Sequence, residues 1–326
     1  MIPIKKSKTR LWSKLGSRAT FGMAVLELAK EREDFLVLSG DLCASSGLSR
    51  FREQFPERFI NLGIAEQNMI GVAGGLAKDG TPVFATSFAP FITMRAAEQV
   101  RMNMGYMQLN VKTVGLGSGV VMAQLGNSHY GLEDVSVMRA IPNMMVVSPA
   151  DCTEIVKAVE ALADYQRTAY LRLTGGPGNP VVYAEDYAFQ LGKAICLREG
   201  EDVALIATGT MVHVALETAE ALAAQGVSAT VVDMHTLKPL DGACLNTLLR
   251  HRLLVTMEEH TVCGGLGSAV AEYLAPKRER PPQLLIGIGD VFPHAGSYEY
   301  VLESCGLTAE QVTGRILSEL RNGERG

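Results

Sequence analysis

From residue 35 to residue 290 the chain alternates short apolar, β-branched runs with stretches of helix length. The runs are FLVLSG, PVFATS, VKTVGLG, MMVVSPA and AYLRLT, then VALIATG, ATVVDMH, LLVTMEE and LLIGIGD. That alternation predicts βα units on mostly parallel sheets, an α/β fold with two doubly wound domains. Between residues 174 and 200 the stretch TGGPGNPVVYAEDYAFQLGKAICLREG carries Gly, Pro and Asn where helical periodicity would otherwise be. It predicts a linker from about residue 175 and a boundary near 190, giving units 1–189 and 190–326. With 326 residues and 47% hydrophobic content, the chain can bury two ordinary cores.

Charge and composition exclude several functions. The net charge of -5 comes without any Lys/Arg run interleaved with aromatics, so nucleic acid is not expected as a partner. The basic N-terminus MIPIKKSKTRLWSKLG is followed by no apolar stretch of signal-peptide length, and no run is long enough to span a bilayer. A cytoplasmic protein with no membrane partner is expected. Six cysteines lack CxxC spacing, which predicts reduced thiols rather than a zinc site or a disulfide framework.

In INLGIAEQNMIGVAGGLAKDG, one carboxylate, Glu66, stands near the start of a helix made of apolar and very small side chains. Helical spacing places it on one face with Met69, Ile70, Ala73 and Ala77, while Gly71, Gly74 and Gly75 lower helix propensity. Two readings compete. The residue could be a first-turn Glu favoured by the helix dipole and pointing to solvent, or a buried acid that keeps a proton to share with a ligand. So small-sided a helix, with an acid on its buried side, resembles the seam of an interface.

Other stretches offer weaker signals. In SPADCTEIVKAVEALA, Pro149 and Asp151 mark a helix start, and Pro90 suits the first turn of SFAPFITMRAAEQVRMNM. GLGSGV at 115–120 and GGLGSAV at 264–270 could be dinucleotide loops, but neither is followed at the right distance by a convincing acidic strand end. The second reads better as close helix–strand packing. Glu258, Glu259 and His260 have metal-ligating chemistry, yet consecutive residues rarely face one ion, and no metal site is assigned to this chain.

Three blocks, RFINLGIAEQNMIGVAGGLAKDGTPVFATSFAPF, SHYGLEDVSVMRAIPNMMVVSPAD and VTMEEHTVCGGLGSAVAEYLA, occur in the order found in the C-terminal half of transketolases. From about Arg18 onward the chain closely resembles the separate C-terminal subunit of split transketolases. That resemblance implies a thiamine-diphosphate enzyme subunit, with a pyrimidine-binding domain followed by a smaller C-terminal domain. It implies that Glu66 hydrogen-bonds the N1′ nitrogen of the cofactor's aminopyrimidine, and that Phe88 and Phe91 clamp the same ring. His129 and Asp41 would address substrate hydroxyls, and Arg18 and Ser45 would hold the sugar-phosphate end. The family's arginine near the end of the first domain is matched by Arg172, about two positions early.

The departures carry information too. Where the family has a phosphate-binding histidine and an acid for a substrate hydroxyl, this chain has Gly117 and Leu125. A ketose with a smaller, differently charged or unphosphorylated tail therefore fits as well as a pentose phosphate. The GDG motif that holds Mg²⁺ (or Ca²⁺) and the diphosphate is absent. The resemblance thus implies an N-terminal partner subunit that brings both, in a complex of two copies of each chain acting on small sugars. Alternatives that stay open are a beta subunit of a 2-oxo acid dehydrogenase, a deoxyxylulose-phosphate synthase-like enzyme, and a non-catalytic subunit of the same fold.

Overall fold

A computed structural model describes residues 2–323. Twelve strands are present among them: β1 Leu36–Ser39, β2 Phe59–Asn61, β3 Val83–Phe88, β4 Val111–Leu116, β5 Met145–Val147, β6 Ala169–Arg172, β7 Ile195–Arg198, β8 Val203–Ala207, β9 Ala229–Asp233, β10 Thr236–Lys238, β11 Leu253–Thr261 and β12 Gln283–Ile288. They form a seven-stranded sheet in the order β10-β5-β6-β4-β3-β1-β2 and a five-stranded sheet in the order β12-β11-β8-β9-β7. All pairings are parallel except β10 with β5 and β7 with β9. Each antiparallel strand sits at a sheet edge, as mixed α/β sheets commonly arrange it. No strand or helix of the described residues lies between Arg172 and Ile195.

The central strands are buried along their length; every residue of β4, β6, β8 and β9 is inside. Strands covered on both faces read as continuous apolar runs, which is why the sequence displayed them clearly. The short edge strands β2, β7 and β10 carry no such run and escape a sequence reading.

The core departs from the expected pair. One cluster lies between the first sheet and the helices Ser17–Glu31 and Cys152–Asp164, and another beneath the helix Met211–Ala223. A third joins Leu38, Met69, Val83 and Val146 from the first half to Ile206, Val232, Leu237 and Leu254 from the second. β10 explains the continuity. It comes from the second half of the chain but pairs with β5 and closes the edge of the first sheet.

Two helix starts show how local chemistry directs the chain. Asp151 caps the helix Cys152–Asp164 by accepting from Glu154 N at 2.8 Å, and Glu154 reaches back to Ala150 N at 2.7 Å. The second oxygen of Asp151 accepts from Val182 N and Tyr183 N, so one side chain ties the helix to the segment leading into the second half. After Pro90, by contrast, the chain enters a π-helical turn, Phe91–Arg95, a short α turn, Ala97–Val100, and a second π-helical stretch, Arg101–Tyr106. Such wide turns are uncommon and concentrate at functional sites.

Candidate active site

The carboxyl ends of β1 and β3 lie beside Glu66. This residue opens the helix Glu66–Lys78, whose buried face is Glu66, Met69, Ile70, Ala73, Gly74 and Ala77. Glu66 is only 2% exposed, so of the two readings of this residue the structure adopts the buried one. Its carboxylate has two partners. Ser87 Oγ donates to Oε1 at 3.0 Å, and Arg95 Nη1 donates to Oε2 at 2.9 Å. Gly40 directly follows β1, and an added Cβ there would lie 3.7 Å from Glu66 Oε1.

Three rings stand beside this acid. Phe88 closes β3 and Phe91 opens the wide turn, and their rings meet edge to face at 6.0 Å and 81°. The His129 ring lies 5.6 Å from Phe88 and 5.4 Å from Phe91, both edge-on. The Arg95 guanidinium covers Phe91 at 4.1 Å from the ring centroid. His129 comes from the 117–131 loop, which is pinned at its base by paired backbone bonds between Gly119 and Gly131. Its Nδ1 lies 3.0 Å from Ser128 Oγ.

At the end of β1, Asp41 is exposed and has φ 63°, unusual for a residue with a Cβ. Asn61 holds it there by accepting from Asp41 N and donating to Asp41 Oδ1, each at 3.0 Å. Such a conformation persists only where its surroundings hold it, and it is concentrated at functional sites. Further along this loop, Ser45 shares a cavity of 240 Å³ with Arg18, Ser17 and Gly176. Arg18 lies in the first turn of the helix Ser17–Glu31, which presses on the loop so closely that a Cβ at Gly22 would sit 2.2 Å from the Gly47 carbonyl oxygen. Burial lowers the pKa of Arg18, and no carboxylate among the described residues pairs with it. A half-buried cation at a helix N-terminus, without a counter-ion, favours an anionic guest.

Arg172 departs from its expected role. It is 1% exposed, and its Nε donates to both oxygens of Asp134 at 2.9 and 3.1 Å. Its Nη2 donates to the Gly131 and Glu259 carbonyls. Tyr170 completes the cluster, donating to Asp134 at 2.6 Å. With these donors engaged in the interior, Arg172 joins the base of the His129 loop to β11 instead of meeting substrate.

The two departures in the loop also have structural consequences. Gly117 has φ +62°, and a Cβ there would meet the Met122 thioether at about 3 Å. Met122 thus fills space beside Phe88 with apolar surface. Leu125 is 52% exposed. Three contributors went unread in the sequence: Ser87, Arg95 and Asp134. Ser87 directly precedes Phe88, and Arg95 follows Phe91 by four residues, a spacing that brings side chains together on a helix. Nothing in the sequence marks Asp134 as the partner of Arg172.

The glycine-rich stretches and the acidic pair account for one another. Glu258 accepts from Leu266 N and Gly267 N at 2.7 and 2.8 Å, so it occupies the N-terminus of the helix Leu266–Leu274, where a phosphate would have to sit. Glu259 accepts from Val120 N at 2.7 Å and Tyr298 Oη at 2.7 Å. His260 turns toward Asp134, and burial lowers its pKa to about 4. His260 Nδ1 also lies 3.5 Å from Glu258 Oε2, on the same side of β11, while Glu259 faces the opposite way toward Val120 and Tyr298.

Two family models match this chain: the transketolase pyrimidine binding domain over residues 13–176, and the transketolase C-terminal domain over residues 192–312. The chain is 40% identical to a protein named as a transketolase C-terminal section in Methanocaldococcus jannaschii, over 94% of this chain and 96% of that one. It is 41% identical to a 6-deoxy-6-sulfo-D-fructose transketolase subunit of Clostridium sp., over 90% and 91% of the two. A split-gene transketolase, solved as an inactive beta4 tetramer, superposes with a TM-score of 0.84 at 40% identity, covering 93% of this chain and 97% of that one. This chain belongs to the transketolase family and corresponds to the C-terminal subunit of a split enzyme.

Proposed function

We propose that this transketolase subunit supplies the pyrimidine half of a thiamine-diphosphate site and, with an N-terminal partner, transfers a two-carbon ketol unit from an anionic ketose to an aldehyde. The observation that carries the reading is Glu66, 2% exposed beside Phe88, Phe91 and His129. A buried acid next to a small aromatic cluster suits a flat, nitrogen-bearing ring that needs both a face contact and a proton partner. When bound, thiamine diphosphate supplies the carbon nucleophile and the electron sink that ketol transfer requires.

This chain's own residues then have distinct tasks. Glu66 holds or shares a proton at a carboxylate oxygen, while Ser87 fixes the orientation of that carboxylate. Phe88 and Phe91 exclude water from the ring. His129 and Asp41 address substrate hydroxyls. Arg18 and Ser45 receive the distal anion, a phosphate or a sulfonate; the sulfosugar named for the Clostridium relative has a charge of that kind. The partner brings the diphosphate and its Mg²⁺ (or Ca²⁺), two copies of each chain form the complex, and this chain divides near residue 190.

The test is an assay of the purified two-chain assembly with ketose donors and, separately, with pyruvate. Two-carbon transfer from a ketose that requires both chains is expected. Turnover of pyruvate without ketose transfer would instead select a decarboxylating enzyme of the same fold. Activity of this chain alone would refute the shared site.

A further inference from the structure

Arg95 covers both of the groups that an aminopyrimidine would need. Its Nη1 donates to Glu66 Oε2 at 2.9 Å, and its guanidinium lies 4.1 Å from the centroid of Phe91. Its side chain is 46% exposed while that of Glu66 is 2% exposed, so the cation can leave toward solvent and the acid cannot. The other oxygen of Glu66 is engaged by Ser87. We propose that Arg95 is an internal plug of the cofactor site: in the empty subunit it takes the place of the aminopyrimidine on Glu66 and Phe91, and the incoming ring displaces it.

The plug rests on the reading of Glu66 and Phe91 as the pyrimidine contacts, and it has a physical rationale of its own. A carboxylate taken out of water is costly without a partner, and Arg95 supplies one until a ligand arrives. Because the guanidinium is planar, it can lie flat on Phe91 as a heterocycle would. Arg95 also leads the wide turn into Ala96, so the backbone that carries Phe91 carries the plug as well. Asp41 is bonded to Asn61 and His129 lies against the two phenylalanines, and neither forms an ion pair with Glu66. Releasing Arg95 frees Glu66 Oε2 for the incoming ring.

The experiment titrates thiamine diphosphate with Mg²⁺ into the assembled two-chain enzyme by calorimetry. Arg95→Met keeps the stem and removes the charge; Arg95→Lys keeps the charge. The expected result for Arg95→Met is a Kd lowered roughly three- to tenfold, since it loses an ion pair and a cation–π contact that compete with the ligand. Arg95→Lys should stay near the parent enzyme. Equal or weaker binding by Arg95→Met would overturn the plug. Glu66→Gln separates this from the underlying reading: if it binds thiamine diphosphate as tightly as the parent, Glu66 does not face the ring at all. Should Arg95→Met fail to assemble, Arg95→Gln carries the same comparison.

Discussion

Glu66 and Arg172 are both charged and both inside, and the contrast between them separates a reactive position from a structural one. One of the two partners of Glu66, Arg95, is half exposed. Arg172 is bonded on several sides by groups as buried as itself. Replacing Glu66 by Gln should lower turnover by at least about a hundredfold, the contribution typical of a positioned proton donor, with assembly unchanged by sedimentation. Replacing Arg172 by Met should strand Asp134 without its counter-ion and cost about 3–5 kcal/mol, read from the denaturant midpoint. Its KM for ketose should change little in whatever fraction stays folded. For Arg18→Ala the opposite pattern is expected: little loss of stability, and a raised KM that steady-state kinetics finds for phosphorylated or sulfonated ketoses but not for neutral ones.

Among the elements, the helix Cys152–Asp164 and strand β9 meet across the junction of the two halves through a cluster of acids and tyrosines. Tyr183 donates to Asp233 at 2.7 Å, Tyr187 donates to Glu154 at 3.0 Å, and the two rings stack at 3.9 Å. Burial pushes the carboxyl of Asp233 up to about 7, and burial with the charge of Asp233 raises Glu154 as well. An acid raised on folding binds its proton more tightly in the folded chain. Its contribution is therefore favourable at low pH, falls as pH rises from the ordinary carboxylate range toward 7, and is constant above that. Asp233→Asn removes this dependence. Relative to the parent, it should gain stability between pH 5 and pH 8, measured by urea unfolding at the two values. Of these elements, the helix was legible because Asp151 and the spacing of Ile155, Val159 and Leu162 announce it. The wide turn after Pro90 was not, since a π-helical turn uses the same residue types as an α-helix and differs only in how the surrounding side chains seat it.

Across the whole molecule, the two halves share a core, and the first half needs β10 from the second to close its sheet. A chain cut after residue 189 lacks β10 and loses Ile206, Val232 and Leu254 from the core that Met69 and Val146 belong to. It should be poorly soluble and lack a cooperative melting transition, which differential scanning calorimetry would show. No helix of the described residues is long and apolar enough to cross a membrane. The sequence by itself determined the α/β class, nine of the twelve strands, the buried face of the Glu66 helix and the family, because strand burial and helical periodicity are local patterns that survive in one dimension. Only the tertiary structure decided that Arg172 faces Asp134, that Glu258 fills a helix end, that β10 crosses between the halves and that Arg95 covers Glu66. Each of these depends on which distant groups the fold brings within bonding distance, and a buried charge takes the partner it finds there.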